Sequence, residues 1–242
     1  MNRTNQKMQI EIWSDIMCPF CYIGKRNFEN ALAQFPYKEK TEVIWKSFQL
    51  VPDLKTQPGK NINQFLSEHK GISLQQATKL NDHVAFTARQ IGLIYNFDKA
   101  IPANTFNAHR LSHLAKHYGL QNEIEEKLFA AYFSKGKNVD DIQTLVQIGI
   151  ETGLDSAEVK NTLDSNKYTD EVRNDIYEAH QMDISGVPYF LFNNKHVVSG
   201  AQESYVFLET LEKSFLAWNK ENPEKQTKVL HGQTCVPGED CS

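Results

Sequence analysis

Long apolar runs and an excess of one charge sign are both missing from this sequence. No stretch reaches the roughly 18 apolar residues that a membrane-spanning helix requires, so we expect no membrane span. The net charge is only −4, which gives no electrostatic footprint for nucleic acid or anionic lipid, and we expect neither as a partner. Without repeats or low-complexity tracts, the sequence does not favour a solenoid.

The beginning of the chain has few features of a leader segment. Residues 1–15 carry positive charge, but no apolar segment and no small-residue cleavage site follow, so we expect no signal peptide and a cytoplasmic protein. Cysteine is also scarce: four residues in 242 are too few for a disulfide-stapled secreted scaffold. Because cytoplasmic disulfides are usually transient, two close cysteines there are more often redox-active or metal-binding than structural.

The first fifty residues alternate between strand and helix patterns. Met8, Ile10 and Ile12 alternate with other residues at period two, which predicts a strand. A predicted helix follows and ends near Pro36, with four apolar residues on one face: Phe28, Ala31, Leu32 and Phe35. The β-branched and aromatic residues of 41–50 predict a second strand. Such a unit normally has parallel strands and a right-handed crossover.

The middle of the chain, from about residue 60 to 183, has the signals of five to seven helices. Capping-box pairs predict helix starts at Ser73–Gln76, Asn122–Glu125 and Asp155–Glu158. Ile124, Leu128 and Ala131 are predicted to share one helix face, and Ile142, Leu145, Val146 and Gly149 another.

Strands return near the C-terminal end. Residues 189–192 and 195–199 flank Asn193–Asn194, a pair that tolerates positive φ and therefore predicts a type I′ hairpin. A last helix is predicted over about 204–220, with four candidate core residues: Val206, Leu208, Leu211 and Phe215. Because a sheet needs helices packed against it, we expect the two β-containing ends to form one sheet, with the helical block inserted between them.

The Cys18-Pro19-Phe20-Cys21 motif directly follows the first strand. Two sulfurs at this spacing are within disulfide reach, and a thiolate at a helix start is stabilised by free N–H groups and the helix dipole. The pKa of Cys18 is therefore expected to fall from about 8.5 towards about 3.5–7.5. We predict that Cys18 attacks a disulfide and that the more shielded Cys21 resolves the mixed disulfide. A zinc half-site and two inert thiols are the alternatives.

Four ordered motifs together resemble a known family. They are Asp15 to Cys21, Asn104 to Leu111, Gly186 to Phe190 and Ser199 to Gln202. Their order, over roughly residues 8–220, resembles the DsbA-like branch of the thioredoxin fold, and more closely its FrnE-like dithiol oxidoreductases. The resemblance implies an α/β, thioredoxin-like fold with a large all-helical insertion.

The order of these patterns also predicts a domain division. Residues 8–58 and 184–221 would form the thioredoxin-like domain, residues 59–183 the helical insertion, and residues 222–242 an irregular tail. No cofactor is expected. Expected partners are disulfide-containing proteins or low-molecular-weight thiols, together with a redox partner that regenerates the protein.

The resemblance further implies a cis Val187–Pro188 bond beside the Cys18–Cys21 pair. Pro188 would then belong to the catalytic site, and the free backbone groups of Val187 could pair with a substrate strand. Residue type alone would favour an ordinary trans proline at the start of an edge strand. Phe20 is a further candidate for substrate binding.

Asp15 and three histidines are weaker candidates. Asp15 is a possible proton relay to the resolving thiol, although a solvated turn carboxylate or local cap is the more favoured interpretation. His109, His113 and His117 recur every four residues, but no acidic residue or cysteine nearby completes a metal site, so we expect none. His109 is predicted either to contact substrate or to anchor the insertion to the sheet.

Cys235 and Cys241 form a second close pair, near the C-terminal end. One hypothesis is a second redox pair that exchanges with Cys18 and Cys21. Its alternatives are an independent labile pair and a four-sulfur zinc site.

Two other function classes compete with a thiol–disulfide oxidoreductase or isomerase. One is a glutathione-dependent isomerase or transferase of the kappa or hydroxychromene-carboxylate type. Those proteins typically have serine at the first motif position and an Asp-Arg pair where this chain has Ala201-Gln202, so both differences disfavour that class. The other is a non-enzymatic holdase that captures unfolded chains.

Overall fold

A four-stranded mixed sheet joins the two ends of the chain. The computed structural model describes residues 6–223. Strands β1 (Met8–Ser14), β2 (Thr41–Ser47), β3 (Tyr189–Phe192) and β4 (His196–Ser199) lie in the order β2-β1-β3-β4. β1 and β2 are parallel, and β3 is antiparallel to both β1 and β4. The prediction that both β-containing ends build one sheet is confirmed.

Helices account for most of the remaining chain. The first and last of them, α1 (Pro19–Gln34) and α9 (Ser204–Glu221), pack against each other and cover the sheet. The intervening block holds seven α-helices in the described range, which agrees with the five to seven predicted. They are α2 (Ile62–Lys70), α3 (Leu74–Gln90), α4 (Phe106–His117), α5 (Gln121–Phe129), α6 (Ile142–Thr152), α7 (Ser156–Asp164) and α8 (Thr169–Gln181). A π-helical turn, Ala130–Ser134, continues α5. None of the helices within residues 6–223 is long and apolar enough to cross a bilayer.

Helix starts follow the predicted capping signals in two of three cases. Ser73 and Gln76 form a reciprocal capping box, and the Asp155 carboxylate accepts from the Glu158 backbone N–H. The box predicted at Asn122 is wrong, because the N-cap of α5 is Leu120, two residues earlier, and Asn122 lies inside the helix. The Asn122 side chain instead contacts Trp45 and Glu29, so tertiary partners replace the local cap.

The helix-face predictions are partly confirmed. Ile124, Leu128 and Ala131 are buried together. Of the face predicted in α6, Leu145 and Gly149 are buried, whereas Val146 is only partly buried and Ile142 is exposed.

The core beneath the sheet is largely aromatic. Phe28 from α1 contacts three phenylalanine rings of β3 and α9, with ring centroids 5.6–6.2 Å apart: Phe190, Phe192 and Phe207. Leu211 and Phe215 are buried as predicted, but Val206 and Leu208 are only partly covered. Phe207 takes the central position on α9, because that helix turns the 207–211–215 face towards the sheet.

The β3–β4 hairpin and the end of β2 each depend on a few local residues. Asn193 and Asn194 have φ values of 48° and 53°, so the predicted type I′ hairpin is confirmed. β2 ends at Ser47 rather than near Leu50, because the chain after Ser47 leaves the strand direction and turns towards Asp15, which follows β1. There the Leu50 backbone N–H donates to the Asp15 carboxylate at 2.8 Å.

Side chains of the insertion cover the outer edge of β2. The Gln121 amide accepts from the Trp45 backbone N–H and donates to the Trp45 carbonyl, both at 3.0 Å, as a neighbouring strand would. Two residues further along β2, the Asp175 carboxylate accepts from the Ser47 backbone N–H at 2.9 Å. These contacts satisfy backbone groups that an open edge would expose, and they fix the insertion to the sheet.

Candidate active site

Cys18 lies where the first strand gives way to the first helix. It is the N-cap of α1, with φ −85° and ψ 113°, and Pro19 follows at the first helical position. The Cys18 backbone N–H donates to the Asp15 carbonyl at 2.9 Å, which closes the turn between β1 and α1. Cys18 is therefore at the end of α1 where N–H groups lack helical partners and the helix dipole is positive.

Cys21 lies one helical turn further in and is completely buried, whereas Cys18 keeps 4% of its surface exposed. Both are free thiols. Burial raises the pKa of the Cys21 thiol well above its ordinary value, and the neighbouring Cys18 raises it further. The Asp15 backbone N–H and the Ser14 hydroxyl act in the opposite direction, because they stabilise a thiolate. Both thiols are thus buried, and Cys18 is the one that keeps some exposed surface, although only two residues lie between them.

Val187 and Pro188 lie opposite Cys18. The peptide bond between them is cis. The Cys18 thiol donates to the Val187 carbonyl at 3.5 Å, and the Gly200 backbone N–H donates to the Pro188 carbonyl at 2.8 Å. The structure therefore brings together residues from both β-containing ends of the chain, as the family resemblance implies, and the trans proline that residue type alone favours is wrong.

Aromatic residues surround the start of α1. Phe20, between the two cysteines, is 47% exposed and so is available to a binding partner. The Tyr95 hydroxyl, from the segment between α3 and α4, donates to the Pro19 carbonyl at 2.7 Å. The Tyr22 ring stacks on Phe129, with centroids 5.0 Å apart. The insertion thus holds the Cys18-Pro19-Phe20-Cys21 motif in place. No local sequence signal indicates that Tyr95 contacts this motif.

Asp15 is buried rather than solvated. None of its surface is exposed, and its carboxylate accepts from the backbone N–H groups of Met17 and Leu50. The interpretation as a solvated turn carboxylate is therefore wrong. The alternative interpretation, a local cap, agrees with the hydrogen bond from the Met17 backbone N–H. The Leu50 contact is the reason for burial, because it ties the segment after β2 against the turn that carries Cys18.

The three histidines of α4 separate into different environments. His109 is 2% exposed, and its Nε2–H donates to the Phe48 carbonyl at 2.9 Å, while Asp15 Oδ1 lies 3.7 Å away. His113 Nε2 lies 3.0 Å from Asp175 Oδ2, and His117 is exposed. The position of His109 favours an anchor between α4 and the segment after β2 over direct substrate contact. No group of three His, Cys, Asp or Glu side chains among residues 6–223 could hold a metal ion.

Two buried charged residues that the sequence did not single out support this arrangement. Burial alone would raise the pKa of Asp175, but hydrogen bonds from His113 and Lys46 hold it below its ordinary value. Glu125 is also buried and accepts from the Ser112 hydroxyl, and burial raises its pKa. Nothing in the spacing of these residues indicates their partners, since each partner is distant or on another element.

Arg110 has a role that the sequence motif did not specify. It is 4% exposed and lies on α4, next to His109. Its guanidinium donates to backbone carbonyls around the end of α7, those of Thr162, Leu163, Ser165 and Lys167. Two of these carbonyls belong to the last turn of α7 and two follow it, so Arg110 caps the C-terminal end of α7 from a neighbouring helix.

Comparison with known proteins identifies the family. Residues 9–212 match the DsbA-like thioredoxin domain family. The chain belongs to this family. The predicted resemblance to the DsbA-like branch of the thioredoxin fold is confirmed, and with it the thioredoxin-like fold with a large helical insertion.

Individual relatives of this DsbA-like chain agree with that result. It is 30% identical to the uncharacterized protein YwbO of Bacillus subtilis over 202 residues, which are 83% of this chain and 94% of YwbO. A probable DsbA oxidoreductase from Streptomyces coelicolor is 34% identical, with a TM-score of 0.80 over 96% of this chain and 97% of its own. The cytosolic disulfide reductase DsbM of Pseudomonas aeruginosa shares the fold at 14% identity, with a TM-score of 0.59 over 86% and 99% of the two chains. Family membership supports thiol–disulfide redox chemistry in general.

Cys235 and Cys241 lie outside the described residues.

Proposed function

We propose that this DsbA-like protein is a thiol–disulfide oxidoreductase in which Cys18 attacks and Cys21 resolves. The observation that carries the proposal is the position of Cys18 as the N-cap of α1, facing Val187, with Cys21 buried behind it. A thiolate at that N-cap is favoured by the helix dipole and is the more accessible of the two sulfurs.

The proposed reaction balances within the dithiol. The Cys18 thiolate attacks one sulfur of a substrate disulfide, which forms a mixed disulfide and releases the other substrate sulfur as a thiolate that takes up a proton. The Cys21 thiol then loses its proton and attacks Cys18, so that the remaining substrate sulfur leaves as a thiol. Two electrons pass to the substrate, and a Cys18–Cys21 disulfide forms. The reverse sequence oxidises a substrate dithiol.

Backbone groups beside Cys18 supply the proposed substrate contact. An extended substrate segment would pair with Val187, next to Pro188, and Phe20 would offer an apolar surface beside the attacking sulfur. Pairing through the backbone suits many sequences, because it does not depend on substrate side chains. The substrates are accordingly disulfide-containing proteins or low-molecular-weight thiols, and a separate redox partner restores the starting state.

The proposal includes a cytoplasmic location, isomerase activity and membership of the FrnE-like branch. The low number of cysteines, four in 242 residues, supports the location. A buried resolving thiol supports isomerase work, because slow resolution leaves the mixed disulfide time to rearrange within the substrate. No cofactor is part of the proposal.

The test is insulin reduction by the wild type and by Cys18→Ser. We expect the Cys18→Ser rate to fall by at least about a hundredfold, because serine cannot form a mixed disulfide. The melting temperatures of the two proteins are compared in parallel, since one buried oxygen for sulfur is a small change.

Two further assays separate the alternative functions. Equal insulin reduction by both proteins would overturn the proposed roles. Protection of an unfolding protein from aggregation by both, without insulin reduction by either, would indicate a holdase. Isomerisation of hydroxychromene carboxylate that depends on glutathione would indicate the second enzyme class.

A further inference from the structure

Gly24 lies in α1, three residues after Cys21, where a helix would be more stable with alanine. Its backbone is helical, so no positive φ requires glycine there. The requirement is spatial: a Cβ at this position would lie 2.9 Å from Pro188 Cγ and 3.4 Å from two ring atoms of Phe190. α1 thus approaches Pro188 so closely that a side chain at position 24 would not fit without movement of its neighbours.

Neither neighbour can easily move away from an added methyl group. Pro188 Cγ belongs to a ring that is bonded to its own backbone at two points, so moving it moves the chain. Phe190 is fully buried and its ring packs on Phe28 and Phe207. The strain of a methyl group at position 24 would therefore pass to the backbone of Val187 and Pro188.

We propose that Gly24 is a positioning residue that sets the distance between Cys18 and the Val187 backbone. Cys18 is the N-cap of α1, the helix that contains Gly24. Val187 directly precedes Pro188, the residue that α1 approaches at Gly24. The packing of α1 on Pro188 therefore sets how far Cys18 lies from Val187. The contact that spans them is the 3.5 Å approach of the Cys18 sulfur to the Val187 carbonyl. This inference rests on the proposed function, in which a substrate strand pairs with Val187 while its sulfur meets Cys18.

The substrate class determines how much this distance matters. An extended peptide disulfide must satisfy two requirements at once, backbone pairing with Val187 and alignment of its sulfur with Cys18. A small aryl disulfide such as dithionitrobenzoate has no peptide backbone and needs only the second. Gly24 therefore favours peptide disulfides over small ones, and a larger residue should reduce that preference.

The experiment measures single-turnover reduction of both substrates by the reduced protein. In Gly24→Ala we expect the second-order rate constant for a peptide disulfide to fall about five- to tenfold, as expected for the loss of one or two backbone hydrogen bonds. The rate with dithionitrobenzoate should change less than about twofold. A peptide N-methylated at the pairing amide should react slowly with the wild type, and Gly24→Ala should slow it little further.

Gly149→Ala is the matched control. It too is a helical glycine, and a Cβ there would lie 2.7 Å from Val159 Cγ2, at the packing of α6 on α7. It should lower the melting temperature without changing the ratio of the two rates. An unchanged ratio in Gly24→Ala, or an equal fall in both rates, would overturn the inference while leaving Cys18→Ser to test the function separately.

A double-mutant cycle keeps the inference testable if Gly24→Ala alone folds poorly. Pro188→Ala removes the Cγ atom that the new methyl group would meet. Adding Gly24→Ala to Pro188→Ala should then change the peptide-to-aryl rate ratio by less than about twofold. A fivefold or larger change in that background would show that Gly24 does not act through Pro188 and would overturn the inference.

Discussion

Replacing Arg110 by methionine should lower the free energy of unfolding by about 3–5 kcal/mol. The guanidinium donates to four backbone carbonyls near the end of α7, and methionine would fill much of the volume but donate to none. Each buried carbonyl left without a donor costs about 1–3 kcal/mol. The total is limited because the Thr162 carbonyl keeps the Ser165 hydroxyl as a donor and the contacts to Ser165 and Lys167 are only partly buried. Urea denaturation followed by circular dichroism measures the change.

Two further variants serve as controls for the effect of Arg110→Met. Arg110→Lys retains the charge but reaches fewer carbonyls than a planar guanidinium, so its loss should be intermediate. Arg89→Met removes an exposed arginine and should change stability by less than about 0.5 kcal/mol. A loss below about 1 kcal/mol in Arg110→Met would show that the carbonyls are hydrated without it.

The residues of the candidate site were largely predictable because their signals are local. A strand followed at once by Cys18-Pro19-Phe20-Cys21 and a helix places the first sulfur at a helix start with little dependence on the rest of the chain. The Asn193–Asn194 hairpin depends in the same way on its own φ values. Pro188 required the resemblance to a family, because residue type alone favoured a trans bond.

The supporting contacts were not predictable, because they are long-range and polar. Gln121 pairs with Trp45, 76 residues away, and Asp175 with Ser47, 128 residues away. No periodicity marks such a residue, since an amide that completes a sheet edge has the same local pattern as a solvated one. Asp15 likewise accepts from Leu50, which is 35 residues away and follows the neighbouring strand β2.

The histidines of α4 show the same limit. Spacing four apart placed His109 and His113 on one face, which is correct, but their roles are set by what meets that face. Phe48 offers a carbonyl to the first, and Asp175 offers a carboxylate to the second. A sequence pattern can therefore identify the face but not the partner.

Cys21→Ser should accumulate the mixed disulfide between Cys18 and substrate and lower steady-state turnover by at least about a hundredfold. The attack by Cys18 needs only the N-cap environment, which this variant retains, whereas release needs a second sulfur behind it. Non-reducing electrophoresis with mass spectrometry should detect the adduct with Cys21→Ser and not with Cys18→Ser. Absence of an adduct, with turnover retained, would contradict the assigned order of attack.

The same thiol should give the release step a strong pH dependence. Burial is the main cause of the raised pKa of Cys21, and it persists in the mixed disulfide, although the contribution of the Cys18 thiol is then lost. Below that pKa the thiolate fraction rises about tenfold for each pH unit, so release in the wild type should accelerate about a hundredfold between about pH 6 and pH 8. Stopped-flow decay of a preformed mixed disulfide measures this rate. A rate independent of pH over that range would mean that Cys21 is already ionised when it attacks, and that another group has taken its proton.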